Sequence, residues 1–101
     1  MTHQESVEKG FEIGHFRLKP GTTESALMAA CKQMEVKHLQ QQEGFISHQL
    51  VRLDDGLYLD LVVALSRSAA ERICGSWIGQ PECEAFLALI EAESIQFGTM
   101  L

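Results

Sequence analysis

The sequence has no cluster of lysine and arginine: eight basic residues are scattered among 101, against fourteen acidic ones, for a net charge of −6. A phosphate backbone needs the opposite sign, so nucleic acid is not an expected partner. No apolar run approaches the length that crosses a bilayer, which removes a membrane-spanning role. The three cysteines, Cys31, Cys74 and Cys83, are odd in number and form no C-x-x-C pair, so neither a disulfide framework nor a thiol redox motif is expected. Met1–Gly10 carries no charged-then-apolar leader, and a reduced, cytoplasmic setting follows as the expectation. The four histidines show no H-x-x-x-H spacing, so no metal site is expected. No glycine-rich phosphate loop stands out, and no cofactor is expected.

What is present is apolar sequence in excess of one small core. A chain of this length buries only about two thirds of its unfolded surface. Yet 46% of its residues are apolar, and the longest strand candidates are apolar on both faces. A second copy of the chain covering that surplus, a homodimer, is the simplest expectation.

Residues 1–9 show no apolar period and read as a flexible arm, leaving 10–101 as a single domain. Phe11–Leu18 alternates as a strand and ends at Pro20-Gly21, a turn signal. Thr22 is then the expected N-cap of a helix running toward Gly44. Its stripe is Leu27, Ala30, Cys31, Met34, His38 and Gln41. Phe45–Leu53 and Leu57–Leu65 form a hairpin about Asp54-Asp55-Gly56, whose glycine suits the left-handed position of a three-residue loop. That loop opposes Leu53 with Leu57, Val51 with Leu59, Gln49 with Leu61 and Phe45 with Leu65. This nearly continuous apolar face is expected to carry the helices. The other face opposes Arg52 with Tyr58, Leu50 with Asp60, His48 with Val62 and Ile46 with Ala64. Ser68-Ala69-Ala70-Glu71 reads as a capping box for a second helix bearing Ala70, Ile73, Cys74 and Trp77. Pro81 opens a short third helix with Cys83, Phe86, Leu87 and Ile90 on one side, and Glu93–Leu101 closes the chain as a strand.

Strand, helix, strand, strand, helix, strand with right-handed crossovers is an α+β, ferredoxin-like split βαββαβ fold. Its antiparallel sheet takes the order 4-1-3-2, with the helices on one face. The opposite face would be left for a partner subunit, with a cavity enclosed between the two sheets.

Three segments then resemble a known family: Phe16-Arg17-Leu18-Lys19-Pro20-Gly21-Thr22, Gln40-Gln41-Gln42-Glu43-Gly44-Phe45-Ile46-Ser47, and Asp55-Gly56 followed by Leu59-Asp60-Leu61-Val62. They resemble the antibiotic biosynthesis monooxygenase-like proteins, which are dimeric α/β barrels. Trp77 with Gly79-Gln80-Pro81, and Cys83-Glu84-Ala85-Phe86, resemble a bacterial branch of that family. The resemblance runs from Phe11 onward and implies the fold and the homodimer. For activity it implies either cofactor-independent oxygenation of aromatic or polyketide-like molecules or haem degradation. Haem-degrading members use a first-strand Asn, and this sequence contains no Asn.

His48, Arg52, Tyr58 and Asp60 share one face of the hairpin and are the candidate site. His48 would take a phenolic proton and Asp60 would orient it. Arg52 would hold the oxyanion, and Tyr58 would supply a wall and a hydroxyl. The same residues also suit a plain Arg52–Asp60 ion pair beside a satisfied interface histidine. His15 lines the cavity or the dimer seam, and Trp77 is either a core residue or a stacking surface for substrate. His38 reads as a core-edge histidine, Cys31 and Cys74 as core residues, and Cys83 as partly exposed. Three functions stay open: a cofactor-independent monooxygenase, a non-oxidative cyclase or isomerase, and a small-molecule-binding dimer without catalysis.

Overall fold

The computed structural model describes residues 8–101; residues 1–7, most of the expected arm, lie outside it. The strands are β1 (Gly10–Leu18), β2 (Phe45–Arg52), β3 (Tyr58–Ala64) and β4 (Ile90–Thr99). The helices are α1 (Glu24–Lys37), α2 (Arg67–Gly75) and α3 (Pro81–Leu87). The sheet is antiparallel in the order β2-β3-β1-β4, which is the expected order read from its other edge.

The hairpin follows the turn chemistry of its loop. Gly56 takes φ +85°, its amide donates to Leu53 O at 3.2 Å, and Leu53 N donates to Leu57 O at 2.7 Å. Arg52 then opposes Tyr58, Leu50 opposes Asp60, and His48 opposes Val62, as the three-residue loop requires. The register breaks between Phe45 and Ser47, where Phe45 opposes Ala64 rather than Leu65. This irregularity leaves Ile46 out of the expected pairing with Ala64. It also brings Phe45 against the core.

The face assignment is reversed. Tyr58, Val62 and Ala64 are buried in the core with Leu27, Cys31 and Met34 of α1. Val51 and Leu53 of the opposite face are more than a third exposed. The helices therefore cover the mixed face, and the apolar face of Val51, Leu59 and Leu61 is the bare one. Apolarity alone misled here because both faces of β3 are apolar. Packing was decided by the polar groups, which needed partners that helices could supply.

Helix boundaries shift by small steps with clear causes. Thr23, not Thr22, caps α1, accepting from Ala26 N at 3.1 Å. α1 stops at Lys37, because His38 leaves helical geometry and a short 3-10 turn, Leu39–Gln41, precedes Gly44. Ser66, not Ser68, caps α2, accepting from Ala69 N at 3.1 Å, and α2 ends at Gly75, ahead of Trp77. Ile90 begins β4 rather than ending α3. His38 is a core-edge residue as expected: its Nε2 lies 2.8 Å from Ser76 Oγ, tying the end of α1 to the end of α2. Cys83 is fully buried, where partial exposure was expected.

No helix among the described residues is long and apolar enough to cross a membrane.

Candidate functional site

Alternation along β1 points Glu12, Gly14 and Phe16 toward the helices, where they sit beside Val62, Asp60 and Tyr58 of β3. Phe16 stacks on Tyr58 with 5.5 Å between ring centroids and meets Phe86 edge-on at 5.8 Å. Trp77 meets Phe86 edge-on at 6.0 Å. The rings of Phe16, Phe86 and Trp77 wall a cavity of about 350 Å³ between the sheet and the α2–α3 segment. Its lining is mostly hydrocarbon (Phe16, Trp77, Ile78, Phe86, Ile90 and Ile95 among others), with Glu12 and Asp60 as its two carboxyl groups.

Both carboxyls are buried, Glu12 at 3% exposure and Asp60 at 5%. Gly14 lies between them, and a Cβ there would stand 3.2 Å from Glu12 Oε2 and 3.7 Å from Asp60 Oδ2. The glycine thus leaves open the space into which both groups point. Burial, reinforced by the neighbouring charge of Asp60, pushes Glu12 from its ordinary 4.5 up to about 8, against a smaller opposing pull from His48.

Asp60 is compensated differently. His48 Nε2–H donates to Asp60 Oδ1, and His48 Nδ1–H donates to Glu35 Oε2 of α1 at 2.6 Å. An imidazole that donates from both nitrogens is an imidazolium. Burial works against that charge, but the hydrogen bond to Asp60 and the contact with Cys31 outweigh it, and His48 is held up to about 11. The side chain of His48 is only 1% exposed, and it lies off the cavity, toward α1.

The residues singled out from sequence therefore divide. His48 and Asp60 are in contact, as their diagonal placement across the hairpin suggested, but neither nitrogen of His48 is free to take a proton. Arg52 pairs with Glu24 of α1 (Nη1 to Oε1, 2.7 Å) rather than with Asp60, and the Tyr58 hydroxyl donates to the same carboxylate at 2.8 Å. These three residues form a separate, smaller hollow near the hairpin tip. His15 has Ser94 Oγ 3.2 Å from its Nδ1, and it is among the residues that line the cavity. Trp77 lines the cavity, and its buried Nε1–H has no hydrogen-bond partner among the described residues. Cys74 also lines it, but burial pushes its thiol up to about 11, away from nucleophilic use.

Glu12 was not singled out from the sequence. Its signal was a lone charge in the strand Gly10-Phe11-Glu12-Ile13-Gly14, on the same face as Gly14, which leaves room beside it.

No family model matches the chain, and no curated protein matches it either. Solved structures do. The chain is similar to SnoaB, a cofactor-independent oxygenase from Streptomyces nogalater, at 19% identity and a TM-score of 0.71, covering 94% of this chain and 95% of that one. It is also similar to a candidate antibiotic biosynthesis monooxygenase from Bordetella bronchiseptica at 15% identity and a TM-score of 0.77, covering 93% and 98%. A candidate of the same description from Caulobacter crescentus gives 14% identity and a TM-score of 0.68, covering 94% and 92%. At these identities the likeness is one of fold. The chain has the α+β, ferredoxin-like fold of the antibiotic biosynthesis monooxygenase-like proteins.

Proposed function

We propose that the protein is a cofactor-independent oxygenase acting on a phenolic aromatic or polyketide-like molecule bound between the sheet and the α2–α3 segment. The observation that carries this reading is Glu12: a buried carboxyl on the floor of an aromatic-walled cavity, held near pH 8. A group poised there takes a proton far more readily than an ordinary carboxylate and still releases it within the working range.

In this reading the substrate ring lies against Phe16, Trp77 and Phe86, whose faces and edges suit a flat apolar body. The unpartnered Nε1–H of Trp77 donates to a carbonyl or phenolate oxygen, since a buried donor left without a partner costs about 1–3 kcal/mol. Glu12 takes the phenolic proton. Asp60, fixed by His48, stands beside Glu12 and strengthens its hold on the proton. The electron-rich phenolate then reacts with dioxygen at a ring C–H carbon to give a hydroperoxide, which loses water to leave a carbonyl there. One oxygen atom stays as the new carbonyl, and the other leaves as water with the C–H hydrogen and the phenolic proton. The substrate, oxidised to the quinone, supplies all four electrons. The reading is further supported by the fold it shares with a cofactor-independent oxygenase. The cavity volume also falls within the range of about 300–1,000 Å³ usual for small-molecule pockets.

A non-oxidative cyclase or isomerase would use the same base without consuming oxygen. Oxygen uptake with a panel of anthrone- and naphthacene-type phenols separates the two. Uptake with an oxygenated product is expected; turnover without uptake supports the isomerase, and binding without turnover leaves a binding protein.

The bare face, with Val51, Leu53, Leu59 and Leu61, supports a second copy of the chain packing sheet on sheet. In that dimer each subunit keeps its own cavity on the helix side, rather than sharing one between the sheets.

A further inference from the structure

On the side of the sheet covered by α1, away from the cavity, three side chains converge that the function above does not use as reacting groups. Cys31 and Glu35 lie one helical turn apart on α1, so both point from the same helix face onto β2. His48 rises from β2 to meet them. Cys31 Sγ is 3.7 Å from His48 Nδ1 and 3.6 Å from Glu35 Oε2, and Glu35 Oε2 is 2.6 Å from His48 Nδ1. Their three donor atoms form a compact triangle.

We propose that Cys31, Glu35 and His48 form a binding site for a zinc-class divalent cation.

Bond lengths of about 2.3 Å to sulfur and about 2.0–2.1 Å to nitrogen and oxygen give tetrahedral edges of roughly 3.5 Å between sulfur and either light atom. Both edges from Cys31 match that value as they stand. Only the edge between Glu35 and His48 must open, from 2.6 Å to about 3.3 Å. Glu35 can make that movement, since its side chain is flexible and about a quarter exposed, whereas His48 is fixed. The exposed side of Glu35 also leaves a fourth position for water. The remaining nitrogen of His48 already donates to Asp60, the outer carboxylate that commonly orients a metal-bound imidazole.

Ligation takes Cys31 as its thiolate and His48 through Nδ1, so metal binding releases protons to solvent. The donor set chooses the metal: a thiolate and an imidazole suit zinc, whereas calcium and magnesium require oxygen ligands. The sequence concealed this site because its ligands sit at helix spacing for Cys31 and Glu35, with the histidine on another element, outside any histidine-pair motif.

The proposal is independent of the oxygenase reading; the two share only Asp60, which bridges His48 and the cavity floor. The test is titration of the reduced, chelator-treated full chain with Co²⁺, a spectroscopic stand-in for zinc. One equivalent should produce a near-ultraviolet thiolate-to-cobalt charge-transfer band and the intense visible bands of tetrahedral cobalt, both bleached by one equivalent of Zn²⁺. Cys31→Ser should abolish the charge-transfer band, Glu35→Gln should weaken Co²⁺ binding at least tenfold, and Cys74→Ser should leave both unchanged. Circular dichroism of each variant separates loss of the site from loss of the fold, and Glu35→Gln keeps the size and hydrogen-bonding shape of a side chain that is about a quarter exposed. Absence of a charge-transfer band at stoichiometric Co²⁺ in the unmodified protein, or its survival in Cys31→Ser, overturns the proposal.

Discussion

Asp60 accepts a hydrogen bond from His48 Nε2, so of the two carboxyls on the cavity floor it is the one whose charge is already compensated. Glu12 has no such partner among the described residues, and burial beside a negative neighbour raises its pKa. In the proposed reaction these two adjacent carboxyls take opposite tasks, one held in place and the other acting as the base.

Replacing His48 tests the structural side of this division. His48→Ala leaves Asp60 as an uncompensated buried charge, and removing one partner of a buried pair costs about 3–5 kcal/mol. Chemical denaturation at pH 7 should show a loss of that order. A change below about 1 kcal/mol, the scale of an exposed pair, would show that the His48–Asp60 contact contributes nothing in solution.

The pH dependence of stability follows from two raised pKa values. Glu12 moves from 4.5 to about 8, so folding binds its proton more tightly. Its contribution is full below pH 4.5 and is lost as pH rises toward 8. His48 moves from 6.5 to about 11, so its contribution is full below 6.5 and is lost on the way to 11. Both terms fall together between about pH 6.5 and 8, and the melting temperature should fall across that window. Glu12→Gln should flatten the slope below pH 6.5 and raise the melting temperature at pH 8. An unaltered slope in the variant contradicts the shift assigned to Glu12.

Much of the fold was legible in the sequence. The Asp54-Asp55-Gly56 loop determined the hairpin register up to the irregularity near Phe45, and Pro81 marked the start of α3. The side of the sheet on which the helices lie was not legible. Leu59, Leu61 and Val63 on one face of β3 and Val62 and Ala64 on the other leave little apolar contrast. The deciding contacts, Glu24 with Arg52 and Glu35 with His48, join elements that no local pattern connects. The same reversal explains the site. His48 and Asp60 were found because they are polar residues in an apolar hairpin, but their roles depended on α1 lying over them. Glu12 was passed over because a single acid in a first strand reads as a solvated position until the helices are known to cover it.

The bare face yields a separate test. Leu61→Asp places a charge where a second sheet is proposed to pack, and an unpaired carboxylate is costly to bury. Sedimentation equilibrium at micromolar concentration should give a dimer for the unmodified chain and a folded monomer for the variant. A stable unmodified monomer would remove the sheet-on-sheet dimer.

The cavity wall can be probed through Trp77. Trp77→Phe keeps an aromatic ring but removes the unpartnered Nε1–H, so the fold should persist. Loss of one neutral hydrogen bond to ligand, about 0.5–1.5 kcal/mol, corresponds to roughly a two- to tenfold weakening of phenol binding. Equal affinity in the two proteins would mean that the indole nitrogen does not face the ligand.

The proposed base is tested most directly by the pH profile of kcat/KM for oxygen uptake with a phenol that the enzyme turns over, measured for the unmodified protein and for Glu12→Gln. The account predicts a rate that rises with pH through an inflection near 8, as Glu12 loses its proton and becomes the base. It also predicts a loss of about 10²–10⁴-fold in the variant, the usual worth of general-base catalysis. A profile without that inflection, or a Glu12→Gln variant that keeps the full rate, would contradict it.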